Sequence, residues 1–215
     1  MAAQLLRIAL LFPALAIALG SASARADTTF GLRVMVAEVD GEPVVPDGWV
    51  DERVEWSNRI FAPAETSFRV ARREALPGEH AEILSRGDRH ALGPRVEGDT
   101  IHVFVVKALA NVDVAGDFIR GVHWRSRRGG PGPGGNRRHY VILSSIAGPT
   151  VLAHELGHFF GNPHSDTPGN VMSYTRGEGP PFFDAGQLRR IRQHRERFLR
   201  TEELAPVASP RAQKR

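Results

Sequence analysis

The chain has 215 residues, with 28 Lys and Arg against 24 Asp and Glu, a formal net charge of +4 and no cysteine. The missing thiols exclude disulfides, thiolate metal sites and a lipidated cysteine anchor, so any metal must be held by imidazole or carboxylate groups. Only Lys107 and Lys214 are lysine; the pI near 10.2 therefore reflects arginines that never titrate near neutrality, and with no helix-turn-helix, zinc-finger or RNP-like pattern nucleic-acid binding is not expected.

The first 26 residues read as a signal peptide. Arg7 supplies the positive charge, residues 8–20 are almost wholly apolar, and Ala24-Arg25-Ala26 is a small-x-small cleavage pattern. The apolar run falls short of the roughly 20 residues a membrane span needs. The expectation is a secreted or periplasmic protein that begins at Asp27 and keeps no stable membrane anchor. The mature chain is long enough for one domain, 27–203, and short for two.

Residues 29–39 alternate like a strand, with Phe30, Leu32, Val34 and Val36 on one face and Gly31, Arg33, Met35 and Ala37 on the other. A turn-rich break at 41–48 leads to an amphipathic helix over 49–61, with Val50, Val54 and Phe61 at helical spacing. Residues 67–75 form a second strand, whereas 77–98 are charged, turn-rich and without a clear period. The apolar run within 101–109 predicts a strand buried on both faces, and 118–124 is a further strand. Residues 127–138 carry too much Gly and Pro for a helix or central strand and read as a surface loop.

Residues 140–145 form another strand, and Pro149 marks the start of a helix. Near the end, Asp184 and Gln187 have capping-box spacing, followed by an apolar stripe of Leu188, Ile191, Phe198 and Leu199 on an arginine-rich helix. Its arginines are expected on the solvated face, and residues 204–215 in a disordered tail. The layout is that of a compact α+β domain, expected as a monomer.

The chemistry is concentrated in residues 154–164, His-Glu-Leu-Gly-His-Phe-Phe-Gly-Asn-Pro-His. His154 and His158 lie on one helical face a turn apart, so both imidazoles can reach one ion. Glu155, one step on, projects beside that ion and suits a base for a metal-activated water. Gly161 can take positive φ and end the helix, and Pro163 stiffens the approach of His164. Three histidines with a fourth position open is the catalytic zinc arrangement, whereas structural sites are filled by four ligands. Such a pattern arises by chance in about one of 10,000 chains of this composition.

These residues match the metzincin pattern H-E-x-x-H-x-x-G-x-x-H at every fixed position, and Asn170-Val171-Met172-Ser173-Tyr174 resembles the Met-turn found after it in that family. The resemblance implies a metzincin-like zincin fold: a twisted, mostly parallel sheet, an active-site helix and a C-terminal helix. It also implies one catalytic Zn2+ on His154, His158 and His164, with Met172 as an apolar floor beneath them. Tyr174 matches the position of a tyrosine that ligates zinc or bonds the oxyanion in astacin-like and serralysin-like members. The implied activity is that of a secreted endopeptidase acting on peptides or proteins through a zinc-bound water activated by Glu155. By the same analogy the substrate lies along an edge strand near 118–124.

The chain departs from the family in places. It has no cysteine for a matrixin-type switch, and its first strand starts so close to the signal cleavage that no propeptide is expected. Ser165 looks matrixin-like, while Met172-Ser173-Tyr174 looks serralysin-like. A zinc module that docks peptides without cutting them is the competing reading, against which Glu155 stands. Cell-wall peptides and small amides compete as substrates. Asn111, Asp113 and Asp117 are candidates for a structural Ca2+, set against an ordinary solvated loop. His102, His123 and His139 have no ligand spacing, and His80, His90 and His194 are expected on the surface.

Overall fold

A computed structural model of the protein describes residues 27–126 and 139–207. The expected signal peptide, the Gly/Pro loop 127–138 and the tail from 208 on lie outside the described residues. The first strand, β1 (Thr28–Val39), reverses through Asp40 and Gly41 into a short return strand, β2 (Glu42–Pro43). Helix α1 (Trp49–Phe61) and strand β3 (Thr66–Leu76) come after it. Next are β4 (Glu82–Ile83), α2 (Arg86–Ala91), β5 (Ile101–Val106) and β6 (Ala108–Leu109). The chain continues through β7 (Gly121–Arg125), β8 (His139–Ser144), α3 (Val151–Phe159) and α4 (Ala185–Arg200).

The main sheet runs β3-β1-β5-β8-β7, with β2 on the end of β1. β3, β1, β5 and β8 are parallel, and β7 joins antiparallel to β8 at the edge. All six residues of β5 are buried, as expected of an inner parallel strand covered on both faces. The expected alternation in β1 holds. Phe30, Leu32 and Val34 join the core shared with α1, α3 and α4, while Met35 and Ala37 face a second core with Leu76, Ile83, Leu92 and Tyr140.

The region 77–98 that gave no period is built from short pieces, including α2 with a Ser85–Asp88 capping box. Six residues are too few to display a helical stripe, and α2 buries Arg89 rather than an apolar residue. Pro149 precedes the N-cap Thr150 rather than standing inside α3.

The capping box of α4 is present as expected: Asp184 accepts from the Gln187 amide, and the Gln187 side chain returns the bond. Ile191 and Phe198 are buried, with Leu188 and Leu199 packed beside them. The arginines are not all solvated, however. Arg195 is only 3% exposed and donates to the carbonyls of Ala64 and Glu65, both at 2.8 Å. Buried carbonyls left by the turn before β3 need donors, and a guanidinium can serve two of them at once. The first residues of the expected tail are also held: Ala205 N–H donates to Asp99 O at 3.0 Å and Val207 N–H to Thr29 O at 2.9 Å. Among the described residues no helix is long and apolar enough to cross a membrane.

Because Asp184 closes the first turn of the helix that seals this core, Asp184→Ala should cost about 0.5–2 kcal/mol. Urea or guanidinium unfolding measures it, and an unchanged midpoint would show that the cap contributes nothing.

Candidate metal centre

Helix α3 carries His154 and His158 on one side, and the turn after it brings the third histidine back. Gly161 stands at φ +84°, its amide bonded to His158 O and the Asn162 amide to Gly157 O, both at 2.9 Å. The reversed chain delivers His164 so that its Nε2 lies 3.0 Å from His158 Nε2. One nitrogen from each of the three histidines lies within 4.8 Å of the others. It is the sole such group of three His, Cys, Asp or Glu among the described residues.

The other ring nitrogens explain the orientation. His154 Nδ1 is 2.7 Å from Val171 O and His158 Nδ1 is 2.8 Å from Asn162 O. A carbonyl only accepts, so each Nδ1 carries the proton and each Nε2 presents its lone pair to the shared point. Burial holds the His154 imidazole below its ordinary pKa and brings His158 down to about 4, in both cases against the opposing carbonyl bond. Neutral imidazoles converging in this way are the donor set that zinc favours, with no carboxylate or thiolate needed.

Glu155 takes no place among the three. It is 5% exposed and lies against the edge strand: a Cβ on Gly121 would stand 2.9 Å from its Oε1 and 2.7 Å from Val151 Cγ1. Burial lifts its carboxyl pKa to about 8, opposed by the His123 backbone amide and the charge of Arg89.

Met172 is fully buried directly below α3, since a Cβ on Gly157 would collide with its Sδ and approach Phe183 Cε1 to 3.3 Å. The turn bearing Met172 is tied to α4 by Asn170 and Gln187, whose amides bond reciprocally at 2.8 and 3.2 Å. Tyr174 is 81% exposed, with its hydroxyl 2.9 Å from His164 Nε2.

Sequence reading missed several of these parts. Gly157 occupies a variable position of the motif, and only the collision with Met172 reveals its role. Gly121 gives no sequence signal, because its neighbour Glu155 is 34 residues away. His123 and His139, without ligand spacing, are nonetheless adjacent, Nε2 to Nδ1 at 3.0 Å. His90 accepts from Trp124 Nε1 at 3.2 Å, and His194 is half-buried beneath Gly161, so neither is a plain surface residue. The calcium candidates are committed elsewhere. Asp117 accepts from Asn111 Nδ2 at 3.0 Å and from the Phe118 amide, and Asp113 pairs with Arg86. Nothing in this loop supports Ca2+.

No protein-family model matches the sequence, and no curated protein does. Solved structures do. The chain is similar to metalloproteinase-II from Bacteroides fragilis, with a TM-score of 0.54 and 14% identity, over 80% of this chain and 55% of that one. It is similar to mature mirolysin from Tannerella forsythia in complex with a cleaved peptide, with a TM-score of 0.57 and 14% identity, over 85% of this chain and 100% of that one. It is also similar to archaemetzincin from Methanopyrus kandleri, with a TM-score of 0.50 and 17% identity, over 78% and 96%. The chain has the metzincin fold. It spans about half the length of the Bacteroides protein, and at such identities the likeness speaks for the fold alone. The mostly parallel sheet, histidine-bearing helix and C-terminal helix that the motif implied are observed, and the structure adds an antiparallel edge strand, β7.

Gly157→Ala should overpack the contact with Met172, costing about 1–3 kcal/mol of stability. Thermal unfolding of the variant tests this, and a wild-type melting temperature would mean that the turn yields freely.

Proposed function

We propose that the protein is a secreted or periplasmic zinc-dependent endopeptidase, exported by residues 1–26 and consisting of a catalytic domain over 27–203. The observation that carries the reading is the convergence of three imidazoles beside a buried carboxyl that is not one of the three. Metalloproteinases of the same fold, one of them solved with a cleaved peptide, add support.

His154, His158 and His164 would hold one zinc ion, which when bound supplies a Lewis acid and lowers the pKa of water toward about 7. Glu155 accepts the proton of the attacking water and delivers it to the departing amine. Tyr174, exposed at the mouth of the site, donates its hydroxyl to the oxyanion. Met172 floors the site without chemistry of its own. The substrate peptide lies extended along β7, whose outer edge has no strand beside it among the described residues, and adds to the sheet through main-chain bonds. Asn111, Asp113 and Asp117 play no part, and no calcium is invoked.

Exported protein should begin at Asp27, carry about one zinc per chain and lose peptidase activity to a chelator. Glu155→Ala should retain the metal yet lose at least about a hundredfold in kcat, whereas His158→Ala loses metal and activity together. Metal analysis and hydrolysis of a peptide library read all three. Near wild-type hydrolysis by zinc-loaded Glu155→Ala would rule the mechanism out, and a zinc-loaded wild type that only binds peptides would favour a docking module.

Tyr174→Phe should keep its zinc and lose roughly 10²–10³-fold in kcat, the usual effect of removing one oxyanion donor. Equal turnover by the two proteins would reduce Tyr174 to a lining residue.

A further inference from the structure

Behind the site, three side chains far apart in sequence form a continuous hydrogen-bonded line. His123 on β7 places Nε2 3.0 Å from Nδ1 of His139 on β8, and His139 Nε2 lies 3.0 Å from Oε1 of Glu203, beyond the end of α4. Arg197 NH2 is 3.7 Å from the other oxygen of Glu203. The direction of the line is set at its end. The His139 bond holds the Glu203 carboxyl below its ordinary range, so it is ionised and can only accept. His139 therefore donates from Nε2, and burial keeps its ring neutral. A neutral imidazole then has a bare Nδ1, to which His123 Nε2 donates.

This line touches the chemistry in two places. The His139 ring stacks on Phe159, centroids 3.8 Å apart and planes 10° apart, and His123 packs on the same ring at 5.6 Å. Phe159 adjoins His158 on α3. The backbone amide of His123 also faces the Glu155 carboxyl, and Gly121, on the same face of β7, leaves Glu155 the space that a Cβ there would take. An edge strand is bonded to the sheet on one side only and is the element most free to shift. The line adds a second attachment at the point where that shift would move Glu155. A metal role for the pair does not fit, because the His123 contact uses one nitrogen of His139 and the Glu203 contact uses the other.

We propose that Glu203, His139 and His123 are positioning residues that lock β7 against α3, so that the His123 amide and Gly121 hold the Glu155 carboxylate in place. The inference rests on the peptidase reading for its catalytic consequence but not for the lock itself. Phe in place of His139 preserves the stack on Phe159 and removes both hydrogen bonds. Glu203→Ala removes the acceptor from outside the sheet, and Glu203→Gln keeps an acceptor oxygen.

The test uses the zinc-loaded, full-length mature chain and two readouts. In the absence of substrate, amide hydrogen exchange at His123 should accelerate about tenfold or more in His139→Phe and Glu203→Ala, and Glu203→Gln should restore most of the protection. On a peptide that the wild type cleaves, the first two variants should lose about tenfold or more in kcat at nearly unchanged KM and zinc content, since a small misplacement of a reacting group is costly. Unchanged exchange would overturn the lock, whether or not the protein proves to be a peptidase. Faster exchange with wild-type kcat would overturn the positioning role. A wild type that binds zinc and cleaves no peptide would count against the proposed function, and the exchange result would then decide the lock alone.

Discussion

The close approach of α3 to the turn bearing Met172 is the contact on which the rest of the site depends. At Gly157 the helix has no side chain, so the Met172 sulfur can lie directly against its backbone. That approach sets the height of the turn, which places Val171 O within 2.7 Å of His154 Nδ1 and so aims the first imidazole. The turn in its own right is held from below by the Asn170–Gln187 amide pair, and Gln187 belongs to the capping box that starts α4. A packing contact, a histidine tautomer and a helix cap therefore stand in series, and a change at any one reaches the others.

The second constraint is electrostatic. Glu155 sits where water is scarce, between α3 and the edge strand, and its raised pKa results from that burial. The His123 amide and the charge of Arg89 oppose the shift without cancelling it. Under the proposed function the edge strand has two roles that compete for the same backbone. Its free side suits an extended peptide, and its inner face must stay close enough to seat Glu155. Antiparallel pairing with β8 on one side and the absence of a Cβ at Gly121 reconcile them.

Part of the arginine content has a structural use in the loops. Among the described residues three arginines are buried, and each donates to loop carbonyls: Arg53 to Ala147, Arg89 to Ala110, and Arg195 to Ala64 and Glu65. Arginine cannot shed its charge, so such burial is tolerated only where several acceptors surround the fork. Arg53 shows the cost in a pKa lowered chiefly by burial. Without disulfides, these bonds serve as cross-links between segments distant in sequence.

Local and periodic features were legible from the sequence alone: the alternation in β1, the limits of α1, the Asp184–Gln187 box and the three histidines of the motif. Each depends on backbone geometry repeating over a few residues, so residue type and spacing suffice. The motif also implied Met172 beneath the histidines, and the structure buries Met172 against Gly157 of α3. Only the tertiary structure decided the partners that sequence distance conceals. Gly121 against Glu155, His123 beside His139 and Glu203, and Arg195 inside rather than outside all depend on which strands and turns the sheet order brings together. Pairing across the sheet is set by the burial of whole faces at once, a property of the assembled layers that no window of residues contains.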